Sequence, residues 1–187
     1  VLAPVSVGGT CLSLRVPRRR SFSLEELVAA GSMPAELGPW LRAVVEGRLA
    51  VVVSGGTGTG KTTWVSMLLA ACDPRDRIVV VEDSAELVPD HPHVVRLESR
   101  PPNIEGAGAI TLRDLVRQSL RMRPDRVVVG EVRGAEVVDM LAAFNTGHEG
   151  GLTTVHANSA ADVPARLEAL ALTGGLDRAA VHAQMAA

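Results

Sequence analysis

The chain has 187 residues, of which 47% are hydrophobic, 21% are charged and 2% are aromatic, and its formal net charge is −2. This length supports one sizeable hydrophobic core but leaves little room for a second complete domain. The slightly acidic balance and the scarcity of aromatic rings exclude, for the chain as a whole, the basic footprint and stacking platform of a nucleic-acid binder. No apolar run approaches the roughly 20 residues that cross a bilayer, so we expect a cytoplasmic protein.

Residues 1–20 are predicted to be the remnant of a separate N-terminal domain. Leu12, Leu14 and Val16 alternate with other residues in the pattern of a strand, but the sequence offers this strand no sheet partners. The chain starts without methionine, and it ends at Ala187 inside a helical pattern that has no stop signal. We therefore expect the chain to be a piece of a longer protein, truncated at both ends.

Residues 21–47 are predicted to form a helical linker. Ser23 and Glu26 have the spacing of a capping box at the start of a short helix. A second helix is expected around Leu37, with an interruption or kink at Gly38-Pro39, because proline removes a backbone donor and crowds the preceding turn.

Residues 48–187 are predicted to form an α/β domain, because strand and helix patterns alternate along them. The predicted strands are 49–53, 78–81, 94–97, 127–130 and 152–155, and the predicted helices are 62–71, 111–121, 135–146 and 159–172. Such an alternation predicts a mostly parallel sheet with helices on both faces, and functional residues at the carboxyl ends of the strands.

The sequence GGTGTGKTT follows the first strand of this domain and opens a helix, as the P-loop pattern requires. Its glycines allow backbone turns that point amide groups at a phosphate, and the helix adds its positive end. Lys61 is the only lysine among 19 cationic residues, and its compact ammonium group suits the outer phosphates of a nucleotide. The predicted nucleotide-binding residues are Gly55, Gly56, Thr57, Gly58, Thr59, Gly60, Lys61, Thr62 and Thr63, and the Thr62 hydroxyl is also a predicted Mg²⁺ ligand.

Three other strands run directly into titratable residues, which should meet the P-loop at the same edge of the sheet. Glu131 is the predicted catalytic carboxylate that orients the attacking water. Glu82 and Asp83 are predicted to hold Mg²⁺ directly or through its waters, so that Glu82 also contributes to catalysis. His156 is predicted to sense the γ-phosphate or to tie catalytic loops together, and a purely structural role stays open.

Eight arginines lie between residues 96 and 133, and some of them are candidates for contact with the nucleotide from the same or a neighbouring subunit. Arg121 and Arg133 are closest in sequence to the Glu131 strand and are the predicted nucleotide-binding arginines. Arg100 and Arg113 flank a glycine-containing loop that suits an interface. The sequence alone does not choose among them.

Four blocks in this order resemble the secretion ATPases of type II and type IV systems. They are GGTGTGKTT, VVVEDSAEL, the stretch from HPHVVRLESRPPNIEG to RPDRVVVGEVRG, and NTGHEGGLTTVHANS. In that family they correspond to the Walker A, Asp box, Walker B and His box motifs. RPPNIEG at residues 100–106 resembles more specifically the TadA/CpaF branch, which serves Flp (tight-adherence) pili.

This resemblance implies a RecA-like P-loop NTPase core with ATP and Mg²⁺ as cofactors. It also implies a hexamer of the full-length protein at the cytoplasmic face of the inner membrane, where ATP hydrolysis drives pilus assembly or secretion through a membrane platform protein. Two alternatives stay open. One is a nucleotide-binding assembly or regulatory module with little hydrolysis, and the other is a conjugation-type DNA-transfer ATPase, although no direct nucleic-acid contact is expected.

Overall fold

A five-stranded parallel sheet forms the centre of the molecule, in a computed structural model that describes residues 1, 5–14, 16 and 20–186. The strand order is β1-β5-β4-β2-β3. The strands are β1 (Val51–Ser54), β2 (Ile78–Glu82), β3 (Val94–Glu98), β4 (Arg126–Val132) and β5 (Leu152–Val155). The α/β class and the parallel sheet predicted from the sequence are confirmed.

Seven α-helices surround or precede the sheet within the described residues. They are α1 (Leu24–Ala29), α2 (Leu37–Glu46), α3 (Lys61–Ala70), α4 (Leu112–Ser119), α5 (Glu136–Asn145), α6 (Val163–Thr173) and α7 (Arg178–Ala186). Short 3₁₀ turns at Leu120–Met122 and Ala160–Asp162 extend α4 and precede α6. None of the helices in the described ranges is long and apolar enough to cross a membrane.

The helices cover both faces of the sheet with separate hydrophobic clusters. One cluster joins α1, α2 and α3 to the sheet, with Leu27, Val45 and Leu68 among its buried members. The other joins α4, α5, α6 and α7 to the opposite face, where Val116 and Met140 are fully buried. Because β2 and β4 are covered on both sides, each can carry three consecutive valines, at positions 79–81 in β2 and 127–129 in β4.

Two predictions about the first 47 residues are wrong. Residues 11–14 and 16 form no strand, and Leu12 and Leu14 are 78% and 79% exposed, because no strand in the described part of the chain pairs with these two leucines. Helix α2 runs through Gly38-Pro39 without interruption, since both residues lie in its first turn, where a missing amide donor costs nothing. The capping box of Ser23 and Glu26 is present at α1. Arg15 and residues 17–19 lie outside the described residues.

A buried ion pair fastens the edge of the sheet that lies opposite the P-loop. Arg126 at the start of β4 and Asp76 before β2 are 2% and 4% exposed. Arg126 Nε donates to Asp76 Oδ2 at 2.7 Å, and its Nη2 donates to the Val45 carbonyl oxygen at 2.8 Å. Arg48 Nη2 donates to the second carboxylate oxygen at 2.5 Å. These bonds join α2, β2 and β4, and they satisfy charges that would otherwise be costly to bury.

We predict that Asp76→Ala lowers the free energy of unfolding by about 3–5 kcal/mol, because it leaves the buried Arg126 guanidinium without its carboxylate. Urea unfolding followed by circular dichroism measures this change. The matched control is Asp73→Ala, since Asp73 pairs with Arg75, which is 89% exposed, and that variant should keep nearly the same denaturation midpoint. Equal losses of unfolding free energy in the two variants would show that the buried pair stabilises the fold no more than the exposed pair does.

Candidate active site

The P-loop follows β1 and closes around the ammonium group of Lys61. Lys61 Nζ donates to the carbonyl oxygens of Gly55 at 3.0 Å and Gly56 at 2.9 Å. Gly60, the N-cap of α3, has a φ of 95°, which a residue with a side chain rarely adopts. A Cβ on Gly55 would lie 2.6 Å from Thr59 Oγ1, so the loop could not close this tightly with another residue there.

The loop opens into a cleft of about 440 Å³ at the carboxyl ends of the strands. Of the predicted site residues, the cleft is lined by Thr57, Gly58, Gly60, Lys61, Thr62, Thr63, Glu82, Asp83, Glu131, Arg133 and His156. Gly55 and Gly56 line a smaller adjoining cleft of about 300 Å³, which shares His156 with the first. Thr59 is turned onto its own loop, where its hydroxyl donates to the Gly56 carbonyl oxygen at 2.9 Å.

Arg121 is the predicted site residue that does not reach this cleft. It lies in the 3₁₀ turn between α4 and β4, before the amino end of β4, whereas the P-loop follows the carboxyl end of β1. In a parallel sheet these two ends are on opposite edges, so Arg121 does not reach the cleft of its own subunit. Arg133 follows β4 and lies in the cleft.

Arg133 holds one oxygen of the Glu131 carboxylate, and His156 lies against the other. Arg133 Nε donates to Glu131 Oε2 at 2.8 Å, and Arg133 Nη2 contacts the same oxygen. This hydrogen bonding raises the pKa of the Arg133 guanidinium, which therefore stays charged. His156 Nε2 lies 2.5 Å from Oε1, but without hydrogen-bond geometry, and Oε1 is buried with no hydrogen-bond partner among the described residues.

A buried acceptor without a donor is costly, and such atoms are rare in folded proteins. Glu131 lines the same cleft as Lys61, but its Oε1 is buried against His156 Nε2. The arrangement therefore fixes the carboxylate between Arg133 and His156 beside the cleft that Lys61 lines.

Glu82 is buried and its carboxylate closes the loop that follows β2. Oε1 accepts hydrogen bonds from the backbone amides of Glu86 at 3.0 Å and Leu87 at 2.8 Å, and Oε2 lies 3.5 Å from Arg96. Burial raises the pKa of this carboxyl above its ordinary value, and the amide bonds and Arg96 oppose that rise. Glu82 thus positions the loop that carries Asp83, and most of its hydrogen-bonding capacity is already used.

Asp83 is the more accessible carboxylate of this pair. Its side chain is 47% exposed, its Oδ1 accepts from the Ser99 hydroxyl at 2.9 Å, and its Oδ2 lies 3.9 Å from Arg133. No three acidic, histidine or cysteine side chains in the described ranges group as a metal site. A Mg²⁺ ion that keeps most of its water ligands needs only one or two protein oxygens. Thr62 and Asp83 can supply these oxygens, so a dense cluster of carboxylates is not required.

Sequence reasoning missed the residues that shape β4 beside Glu131. A Cβ on Gly130 would lie 2.7 Å from the Glu82 side chain, so the glycine makes room for Glu82. Thr154 in β5 is 2% exposed, and its hydroxyl donates to the Gly130 carbonyl oxygen at 2.7 Å. The sequence LTTV predicts only a buried strand, although two threonines at fully buried positions are a signal that their hydroxyls have partners.

A parallel α/β sheet with a lysine-containing P-loop, carboxylates and a histidine at one edge defines the class of P-loop nucleotide-binding proteins. Within that class, the family model described as "Type II/IV secretion system protein" matches residues 2–186. The chain belongs to this family.

Curated relatives are named for conjugal transfer. A putative conjugal transfer protein of Mycobacterium tuberculosis is 60% identical over 187 residues, which are 100% of this chain and 53% of that protein. The conjugal transfer protein TrbB of Rhizobium radiobacter is 35% identical over 172 residues, covering 90% of this chain and 51% of that protein. The chain thus spans about half the length of these relatives.

Solved structures with the same fold include secretion and pilus ATPases. The VirB11 ATPase of the Brucella suis type IV secretion system has a TM-score of 0.71 and 29% identity, covering 93% of this chain and 52% of that one. The pilus retraction motor PilT, solved with bound ADP, has a TM-score of 0.58 and 27% identity, covering 74% of this chain and 39% of that one. These likenesses support the RecA-like P-loop architecture expected from the sequence.

We predict that the Glu82→Gln variant becomes more stable, relative to the wild-type protein, as the pH rises. The raised pKa in the folded state means that the wild-type protein loses stability as pH increases above the unfolded value of 4.5, because a buried carboxyl must ionise. Glutamine keeps an oxygen for the two amide donors and has no such cost. Thermal unfolding of both proteins between pH 4 and pH 8 measures the difference. A relative loss for the variant at higher pH would mean that ionised Glu82 stabilises the fold.

Proposed function

We propose that the protein is a Mg²⁺-dependent ATPase of a ring-forming motor that powers type IV secretion or pilus assembly. The observation that supports this most directly is the shared cleft of Lys61 and Glu131, which brings an ammonium group suited to phosphate and a carboxylate to the same space. A regulatory module that only binds nucleotide has no need for that second group.

The P-loop residues bind and orient the nucleotide. Lys61 exchanges its two carbonyl partners in the loop for the β- and γ-phosphates, while the amides of the loop and the N-terminus of α3 face the phosphate chain. The Thr62 hydroxyl and the Asp83 carboxylate, with Glu82 behind it, would hold Mg²⁺. When bound, this ion neutralises charge that develops on the phosphate oxygens.

Glu131 orients the attacking water and accepts its proton. Arg133 holds Oε2, which fixes the direction of the carboxylate, and its guanidinium lines the cleft, where it would face the γ-phosphate. His156 contacts Oε1 of Glu131 and also lines the adjoining cleft, so it links β4 to the loop that follows β5. Arg121 could act only on the cleft of another subunit.

The whole protein is proposed to work as a homo-oligomer, a hexamer at full length, at the cytoplasmic face of the inner membrane with a membrane platform protein. Residues 1–20 would belong to an N-terminal domain, residues 21–47 to a linker and residues 48–187 to the motor core. The RPPNIEG block at residues 100–106 supports the TadA/CpaF branch of Flp pilus assembly. The names of the relatives instead favour a conjugation-type motor as the second candidate, which a salt-dependent stimulation of ATPase rate by DNA would support.

We predict that Glu131→Gln binds ATP as tightly as the wild type but lowers the turnover number by at least about 100-fold, because the amide cannot accept the proton of the attacking water. Phosphate release with Mg²⁺ and a fluorescent ATP analogue measure the two properties separately. Glu105→Gln, the same change in an exposed loop, is the control and should keep the wild-type rate. An unchanged turnover number in Glu131→Gln would overturn the catalytic assignment.

A further inference from the structure

The position of Glu131 depends on an irregularity in β4. Between Val129 and Val132 the chain takes three steps along β4, while β5 takes two from Thr153 to Val155. The strand therefore contains one extra residue, which is the definition of a β-bulge, and bulges commonly redirect a side chain next to an active site. Gly130 and Glu131 occupy the bulge.

Backbone pairing ends on both sides of this bulge. The pairing of β4 with β2 reaches Val129 opposite Val81, and its pairing with β5 resumes only at Val132. In the described part of the chain, Gly130 and Glu131 have no register partner in either neighbouring strand. Glu131 therefore lacks the ladder that holds an ordinary strand residue in place.

The Thr154 side chain supplies a bond at this point. Its hydroxyl donates to the Gly130 carbonyl oxygen at 2.7 Å, and the residue, which lines the cleft, is 2% exposed. The backbone of Thr154 is in register with Val53 of β1, one residue before the strand ends at the P-loop. Thr154 thus connects the strand that carries the P-loop to the bulge that carries Glu131.

We propose that Thr154 is a positioning residue, which fixes the Glu131 carboxylate relative to the P-loop through its hydrogen bond to Gly130. This inference rests on the proposed ATPase function. It predicts that the hydroxyl matters for the rate of the chemical step and not for the affinity for nucleotide, because Thr154 acts through Glu131.

The test uses three variants of β5. Thr154→Val keeps the shape of the side chain and removes the donor, so the turnover number should fall about 10- to 100-fold while the affinity for ATP stays unchanged. Thr154→Ser keeps a donor and should restore most of the rate. Thr153→Val is the matched control, because the Thr153 hydroxyl donates to the Val129 carbonyl oxygen at 2.9 Å and Val129 is in register with both neighbouring strands. This control should keep the wild-type rate.

A second measurement reports on position without turnover. Hydrogen–deuterium exchange of a peptide covering residues 130–132 should become at least about tenfold faster in Thr154→Val than in the wild type, and should stay unchanged in Thr153→Val. An unchanged turnover number and unchanged exchange in Thr154→Val would overturn the proposal. If Glu131→Gln also keeps its rate, the catalytic assignment of Glu131 fails instead, and exchange alone then decides whether Thr154 holds the bulge.

Discussion

The hydrogen bonds between the Lys61 ammonium group and the P-loop are the interaction on which the rest of this site depends. Lys61 reaches back across its own loop to the carbonyl oxygens of Gly55 and Gly56, so the loop is closed around a positive charge. An anion that enters the cleft meets an ammonium group already in place, with the N-terminus of α3 behind it. The site is therefore largely preorganised for a phosphate chain.

The strand order explains why the remaining groups converge on that charge. Strand β5 lies between β1 and β4, so His156 follows the strand that separates the P-loop from Glu131. Strand β2 lies beyond β4 and brings Glu82 and Asp83 to the far wall of the cleft. The buried pair of Arg126 and Asp76 fastens the opposite edge, which leaves the carboxyl edge free to carry loops and charges.

Much of this arrangement could be predicted from local sequence patterns. The runs of valine in β2 and β4 predict buried strands, and the glycines before α3 predict a tightly turned loop. Both signals are local, because they depend only on residues that are adjacent in the sequence. In a parallel sheet the carboxyl ends of all strands lie at one edge, so the topology alone places Glu131 and His156 at the same edge of the sheet as the P-loop. The strand predicted around Leu12 and Leu14 is wrong because alternation alone does not form a strand without the sheet partner that the sequence does not offer.

Features that depend on contacts between distant segments could not be predicted. The bulge at Gly130 becomes visible only when the registers of β4 and β5 are compared, and its bond to Thr154 joins residues 24 positions apart. The contact between Glu82 and Gly130 likewise joins separate strands. The closeness of Arg121 to β4 in the sequence favours it as a site residue. That closeness does not reveal at which edge of the sheet the residue lies, and Arg121 lies at the edge opposite the P-loop.

Calorimetric titration of the chain with ATP and Mg²⁺ tests the central claim most directly, if it is repeated with Lys61→Ala. The account predicts saturable binding of one nucleotide per chain, with an affinity at least about tenfold weaker in the variant, because the loop loses its charged hydrogen-bond donor to phosphate. Equal affinities for the two proteins, or no heat of binding from the folded chain at millimolar ATP, would contradict it.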